Sequence, residues 1–353
     1  MIRTVTILGA GVMGSAMTLP LADKGLNVRL VGTHLDVAEI DSVKAKGLHP
    51  RLNVTLSRAI SAYHHGEFSN VLGDDTDLIL LGVSSAGVDW AIDNLAKALT
   101  RSIPVVIVTK GMAPLAGGLA AFPDVLSDTL ARRLGFHVPV AAIGGPCIAG
   151  ELAVRRQTGT VIVSRDTGLA ATLCNVLSTE YYHPRPASDM MGVETCAAFK
   201  NFFAIAVGWA HGHQELLAES ENKARNNNAA AIFFDQSIRE MMALSLALGG
   251  TSESVWGMPG AGDLYVTCQA GRNSRLGNHL GRGLTYSAVK AGPMKHDTIE
   301  GAELGRSVAS SIHGMLKRGV LVERDLPLTL ALLTCLTQDH PFEPPWDKFH
   351  QQG

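Results

Sequence analysis

From Ile2 to about Pro184, short runs of β-branched and aliphatic residues alternate with longer stretches whose apolar positions recur every three or four residues. The short runs are Thr4–Leu8, Val28–Val31, Leu78–Val83, Val105–Thr109, Val138–Ile143 and Thr160–Val163. That alternation predicts a mainly parallel sheet joined by crossover helices. Beyond about Ser188 the strand pattern fades and the helical period takes over, in residues 192–209, 229–248, 300–318 and 328–336, so the second part is predicted to be mostly α-helical. HPRPASD (183–189) carries two prolines and a polar turn between the two patterns. The expected organisation is therefore one domain over 1–187, a helical one over 188–340, and an irregular, loosely held tail over 341–353. The triplet Asn226–Asn228 is expected to be ordinary loop, and no internal repeat is visible.

Composition narrows the partners. A chain of 353 residues with 46% hydrophobic residues can fill a core in each of two domains. A formal net charge of −2, with no block of five like charges, offers no basic field to nucleic acid or an anionic membrane. Uninterrupted apolar runs such as Leu78–Val83 fall short of the roughly 18 residues of a membrane span. MIRTVTILGAG runs directly into a strand and glycine turn, which predicts no signal peptide and a cytoplasmic protein. Cys147, Cys174, Cys196, Cys268 and Cys335 are scattered and lack any C-x-x-C. They are expected to be reduced thiols, with no disulfide framework and no metal site.

TILGAGVMGSA (6–16) places Gly9, Gly11 and Gly14 in a G-x-G-x-x-G turn between the first strand and the first helix. Such glycines permit a tight turn, close approach to a pyrophosphate and close helix–strand packing, and the helix N-terminus supplies N–H donors. The fold class is thus α/β: an N-terminal Rossmann-type, doubly wound parallel sheet with a mostly α-helical C-terminal domain, and the first ligand is a dinucleotide. After the second strand the sequence reads Val31-Gly32-Thr33-His34, without the acid that usually binds the ribose of NAD. Asp36 comes two or three residues late and is expected to cap the helix that follows. Thr33 and His34 leave space for a 2′-phosphate and could hydrogen-bond it, which tilts the expectation slightly from NAD toward NADP.

Other segments carry polar groups that a core does not require. VTKGM (108–112) puts Lys110 at the C-terminal end of a strand, where open sheets bind ligands, and IGGPCIAGE (143–151) adds a glycine turn at the same edge. In GVETCAAFKNFFAIAVG (192–208) an apolar helix is interrupted by Lys200-Asn201 among Phe199, Phe202 and Phe203. A lysine there either snorkels or is desolvated, and desolvation tunes it toward acid–base work. In GMPGAGDLYVTCQAGRNSRLG (257–277), Gly260, Gly262 and Gly271 would let backbone approach a small anion. Arg272 with Asn273, ahead of a helix expected from Ser274, offers a guanidinium fork for a phosphate.

Taken in order, GAGVMGSA, TKG, GPCIAGE, GVETCAAFKN, GAGDLYVTCQAGRN and IEG (299–301) resemble the NAD(P)-dependent glycerol-3-phosphate dehydrogenases from residue 4 to about residue 336. The resemblance implies interconversion of sn-glycerol 3-phosphate and dihydroxyacetone phosphate with NADP or NAD, and a homodimer. It implies that Lys110 contacts the substrate and that Lys200 is the proton acceptor; independently of the family, a nearby Lys110 would depress the Lys200 pKa by like-charge repulsion. Asn201, Asp263, Thr267, Arg272 and Asn273 would line the substrate pocket, with Asp263 orienting the lysine. Gly9, Gly11, Val12, Met13, Gly14, Thr33, His34, Lys110, Gly145, Ala149, Arg272 and Glu300 would contact the cofactor. Val12 and Met13 depart from the Ser/Asn–aromatic pair common in the family, and Cys147 stands where a hydroxyl or amide is usual. The polar segment 211–228 is longer than in the bacterial enzymes. Another phosphorylated polyol or keto sugar stays open as substrate, and so does a dinucleotide-binding redox sensor without turnover.

Overall fold

The computed structural model describes residues 1–217 and 224–349. The chain divides into two compact units, one made of Met1–Lys110 and Phe122–Met190, the other of Gly111–Ala121 and the chain from Met191 onward. Its strands, in order, are β1 (Thr4–Leu8), β2 (Asn27–Val31), β3 (Leu48–His49), β4 (Val54–Thr55), β5 (Ile60–Tyr63), β6 (Leu78–Leu81), β7 (Val105–Ile107), β8 (Met112–Leu115), β9 (Gly118–Ala121), β10 (Val140–Gly144), β11 (Thr158–Ser164) and β12 (Tyr182–Ala187).

In the first unit, eight of the described strands form one sheet in the order β12-β11-β10-β7-β6-β1-β2-β5. Every pairing is parallel except β10 with β11. From β1 the chain winds outward through β2 to β5, then returns to β6 on the other side and winds through β7 to β10. The two windings diverge between β1 and β6, which is where such sheets open a ligand crevice. β1 and β6 are buried along their whole length, as central strands covered on both faces must be. Two strands of this sheet escape the sequence pattern. β5 mixes polar and small residues, and β12 is YHPRPA, the segment that reads as a turn. Among the described strands β12 pairs with β11 alone, so Pro184 and Pro186 lie on an edge strand, where a missing N–H breaks no central ladder.

The second unit is built around the helix Met190–His213, whose residues from Val193 to Ala210 are buried. As a helix it is long and apolar enough to cross a membrane, a feature that uninterrupted apolar runs miss because Glu194 and Lys200 divide it. Its most apolar window is 94% buried inside the protein, as in the core helix of a globular fold. Phe199, Phe202 and Phe203 pack edge to face or tilted at centroid distances of 5.3–6.3 Å and anchor that core.

The hairpin β8–β9 folds with this unit, although a boundary at 187 would assign it to the first. Arg318 donates to the Gly117 carbonyl at 2.8 Å, and Ser311 Oγ donates to the Leu115 carbonyl at 3.4 Å. The C-terminal stretch is better held than its composition predicts: Phe342 and Phe349 are buried, and their rings lie 6.1 Å from that of Phe233. Residues 350–353 of that stretch lie outside the described residues. So do residues 218–223 of the polar segment 211–228. The asparagine triplet does not form a loop throughout, because the helix Asn227–Ala247 begins within it and Asn226 Nδ2 donates to the Ala210 carbonyl at 3.0 Å.

Glu240 is a buried carboxylate with a structural task. It accepts from the amides of Leu328 and Thr329 and the hydroxyl of Thr329, each at 2.6 Å, and from Gln236 Nε2 at 2.8 Å. It thus satisfies the first-turn donors of the helix Pro327–Gln338 from a neighbouring helix. Burial outweighs these hydrogen bonds and pushes its carboxyl up to about 7. A folded value above the unfolded one means stability that is present below the ordinary carboxylate range and is lost as pH rises through about 7. Glu240→Gln removes this titration. The variant is expected to be less stable than wild type at pH 5, with a gap that narrows by something on the order of 3 kcal/mol by pH 8. Urea unfolding at both pH values reads this directly, and a constant gap would show that Glu240 does not titrate.

Candidate active site

In the first unit the glycine turn follows β1 at the divergence of the sheet. Gly9 has φ +112°, and its N–H donates to the Val31 carbonyl at 2.8 Å. A Cβ on Gly9 would lie 2.7 Å from the carbonyl carbon of Gly82, and one on Gly14 would lie 2.1 Å from the Gly9 oxygen. These glycines are therefore required by the contact of turn, helix and β6. Gly11 is different, since its nearest neighbour would be 3.9 Å away. Its missing side chain leaves the outer face of the turn clear. The helix Val12–Asp23 starts immediately after it with no side-chain cap, so its first-turn N–H groups are oriented for an anion. Val12 and Met13 stand in that first turn and pack against the same core cluster as Ala149, the first residue of the helix Ala149–Ala153.

Asp36 does not cap the following helix through its side chain. Its Oδ2 instead accepts from the Thr33 amide and hydroxyl, both at 2.8 Å, and from the Ala10 amide at 3.1 Å. The Thr33 hydroxyl proton is thereby spent, and its oxygen also accepts from the Leu35 amide at 3.2 Å. The hydroxyl that the sequence offered as a partner for a 2′-phosphate is thus directed at Asp36. His34 remains at this corner, its ring 5.9 Å from that of Trp90 and 6.5 Å from that of His65, two neighbours the sequence did not flag. On the other side of the divergence, Lys110 and Gly145 follow the adjacent parallel strands β7 and β10, and Lys110 Nζ donates to the Gly145 carbonyl at 3.4 Å.

The second unit gathers the remaining polar residues. Lys200 does not snorkel: it is 6% exposed and forms a buried ion pair with Asp263, itself 1% exposed. An ammonium taken into a core needs such a partner, and the carboxylate fixes where Nζ points. Asp263 follows a π-helical turn, Met258–Gly262. Within it a Cβ on Gly260 would lie 2.1 Å from the Val255 oxygen. Gly260 thus serves close packing of this turn against the helix Ser252–Trp256, not the approach of an anion. Thr267, one turn beyond Asp263, donates its hydroxyl to the Asp263 carbonyl at 2.6 Å, which leaves its oxygen only as an acceptor for a ligand.

Around this pair runs a chain of amides. Asn273 Nδ2 donates to Asn201 Oδ1 at 3.1 Å, the Gly301 amide donates to Asn273 Oδ1 at 2.9 Å, and Asn201 Nδ2 donates to Glu300 Oε2 at 3.2 Å. The second Glu300 oxygen faces Arg272 at 3.7 Å, where both side chains are about half exposed. Arg272 opens the helix Arg272–Gly281, two residues earlier than its sequence suggests, after Gly271 at φ +123°. Lys200, Asn201, Asp263, Thr267, Arg272, Asn273 and Glu300 thus form one cluster.

Glycines hold it together. Cβ atoms on Gly208 and Gly212 would lie about 2 Å from backbone oxygens of Ser274 and Asn278, and those on Gly277 and Gly281 about 2 Å from those of Ile205 and Trp209. Backbone contact fixes Arg272-Asn273 against Lys200-Asn201 with little room for drift. Gly277→Ala, whose Cβ would fall 1.9 Å from the Ile205 oxygen, is expected to destabilise by about 1–3 kcal/mol or more. A melting temperature unchanged from wild type would contradict this packing.

A glycine turn after the central β1 of such a sheet is the hallmark of dinucleotide-binding α/β folds, and similarity to known proteins places the chain among nicotinamide-dependent dehydrogenases. Family models described as the N-terminus and the C-terminus of NAD-dependent glycerol-3-phosphate dehydrogenase match residues 4–170 and 189–345. The chain belongs to that family. It is 34% identical over 284 residues to the NADP(+)-dependent glycerol-3-phosphate dehydrogenase of Archaeoglobus fulgidus, covering 80% of this chain and 81% of that one. It is 29% identical over 339 residues to a glycerol-3-phosphate dehydrogenase [NAD(P)+] of Coxiella burnetii, covering 95% and 92%. A crystal structure of the C. burnetii enzyme aligns over 99% of this chain and 98% of that one, with a TM-score of 0.78 and 28% identity. The glycerol-3-phosphate dehydrogenase structure from Plasmodium falciparum, at 18% identity and a TM-score of 0.83, shares the fold.

Proposed function

We propose that this protein interconverts dihydroxyacetone phosphate and sn-glycerol 3-phosphate, with NAD or NADP as the hydride carrier. The observation that carries the reading is the buried Lys200–Asp263 pair set beside the Asn201–Asn273–Glu300–Arg272 network. Lys200 Nζ, as ammonium, gives a proton to the oxygen at C2 as that carbonyl is reduced, and as neutral amine it takes the proton back in the reverse direction. Asp263 holds Nζ in place and balances its charge. Arg272, with the amides at the start of its helix, receives the phosphate. Lys110 also contacts the substrate, and Arg272 and Glu300 border the cofactor. When bound, the dinucleotide supplies or accepts the hydride, and Gly9, Gly11, Val12, Met13 and Gly14 hold its pyrophosphate. The end of β2 lacks the acid at the usual place for the ribose hydroxyls of NAD, and the later carboxylate of Asp36 is held on Thr33 and Ala10, which supports use of NADP with His34 as its neighbour. The reading includes a cytoplasmic homodimer.

The test is a steady-state assay of nicotinamide absorbance with dihydroxyacetone phosphate and each reduced cofactor. The expected result is turnover with both, and NADPH at least as good as NADH. Turnover only with longer keto-sugar phosphates would reassign the substrate. Binding of dinucleotide with no turnover on any of them would leave a sensor.

A further inference from the structure

The geometry points to Asp36 and His49 as a two-sided brace on the Ala10 peptide that presets the glycine turn for a dinucleotide pyrophosphate, whichever cofactor is bound. This inference rests on the dinucleotide-binding reading above. Ala10 is the residue between Gly9 and Gly11, and both ends of its backbone are held. Its N–H donates to Asp36 Oδ2 at 3.1 Å. Its carbonyl accepts from His49 Nε2 at 2.9 Å and from Ser15 Oγ at 3.2 Å.

The direction of the histidine bond follows from its other nitrogen. The Leu52 amide donates to His49 Nδ1 at 3.1 Å, so Nδ1 is the acceptor and the proton sits on Nε2, aimed at Ala10. His49 and Ser15 are fully buried and Asp36 nearly so, which removes water as a competitor for these bonds. Asp36 reaches further: the same oxygen takes the Thr33 amide and hydroxyl, so one carboxylate ties the turn after β1 to the end of β2. The Gly9 N–H, held by the Val31 carbonyl, draws the turn to the same strand.

This arrangement has a chemical consequence. With the Ala10 N–H turned onto Asp36, the donors for a pyrophosphate are narrowed to the first-turn amides of the helix Val12–Asp23, and the turn is fixed in position before the ligand arrives. A pre-organised loop does not lose freedom on binding, so its brace acts on dinucleotide affinity and not on the proton-transfer step. The end of β2 lacks the acid that in other dinucleotide folds faces the ribose, and the carboxylate that comes after it, Asp36, is spent on the turn. A brace on the pyrophosphate, a group common to NAD and NADP, must affect both alike.

The test uses the intact protein with Asp36→Ala, His49→Leu and His49→Gln. Dissociation constants for NADH and NADPH are read by nicotinamide fluorescence, and kcat is measured at saturating cofactor. The expected result is that His49→Leu weakens NADH and NADPH about tenfold or more and by equal factors, and that Asp36→Ala weakens both, NADPH by the smaller factor because a negative charge also leaves the end of β2. Their kcat and the KM for dihydroxyacetone phosphate should stay within about twofold of wild type. His49→Gln keeps an Nε2 donor of similar reach and is expected to recover most of the affinity. If Asp36→Ala does not fold, the Leu and Gln variants at 49 carry the test by themselves. Lower melting temperatures with unchanged dissociation constants would reduce the brace to a purely structural role and overturn the inference. A loss confined to NADH would overturn it differently, by placing Asp36 at the ribose. A wild-type protein that binds neither dinucleotide would instead remove the functional reading on which the inference stands.

Discussion

Lys200→Met is expected to lower kcat by about 100-fold or more while the dissociation constants of NADH and NADPH stay close to wild type, because it removes the proton donor and keeps much of the side-chain volume. Burial adds a second effect. Asp263 is 1% exposed and would be left in the core without its cation, a loss that typically costs about 3–5 kcal/mol. Asp263→Asn in the Lys200→Met background separates the two effects. It removes the stranded charge, so stability should return in large part, while kcat should remain at the level of the single variant. Recovery of turnover along with stability would mean that the lysine acts through the fold alone. Turnover in the single variant close to wild type would end the assignment of Lys200 as the acid.

Arg272→Ala is expected to lower kcat/KM for dihydroxyacetone phosphate by an amount corresponding to roughly 2–5 kcal/mol, since it deletes a charge-assisted grip on the phosphate. The unphosphorylated ketone should barely notice. Wild type is expected to prefer the phosphorylated substrate strongly, and the variant to close that gap by losing the phosphorylated one. Arg272→Lys should recover only part of the loss, because a point charge does not reproduce a planar fork. The guanidinium faces Glu300 at 3.7 Å, a half-exposed pair that orients it without burying it. An equal fall on both ketones in the alanine variant would contradict the phosphate role.

The residues predicted from the chain and those found in space agree where chemistry and periodicity speak together. β1, the glycine turn and the helix Val12–Asp23 were legible because an apolar run, three spaced glycines and a helical period coincide. Lys200-Asn201 was legible because a charge inside an apolar helix needs a reason. Its partner Asp263 lies 63 residues away, and only the resemblance pointed to it; no local pattern shows which carboxylate folds onto which lysine. β12 was hidden by its prolines, whose tolerance depends on being at an edge, a fact of sheet order and not of local sequence. The same holds for the hairpin β8–β9, which follows a first-unit strand in sequence yet packs on the helix Glu300–Lys317.

Asp36 and Gly260 show the other kind of gap. An aspartate just before a helix invites a capping assignment, but the side chain turned the other way, toward Thr33 and Ala10. A glycine in a G-x-G-D run invites a ligand, yet Gly260 is explained by a neighbouring helix in backbone contact. His49 gave no signal at all. A lone histidine in LHPRL acquires meaning only when the fold brings the Ala10 carbonyl to its ring.

The central claim is that a hydride passes between a nicotinamide and C2 of a triose phosphate under the control of Lys200. The most direct measurement uses a reduced cofactor deuterated at the transferring position of the nicotinamide, with dihydroxyacetone phosphate, and reads the product by mass spectrometry and NMR. The account predicts one deuterium, bonded to C2 of sn-glycerol 3-phosphate, with its rate of appearance collapsing in Lys200→Met. Product without deuterium at C2, or label appearing equally fast in the variant, would contradict it.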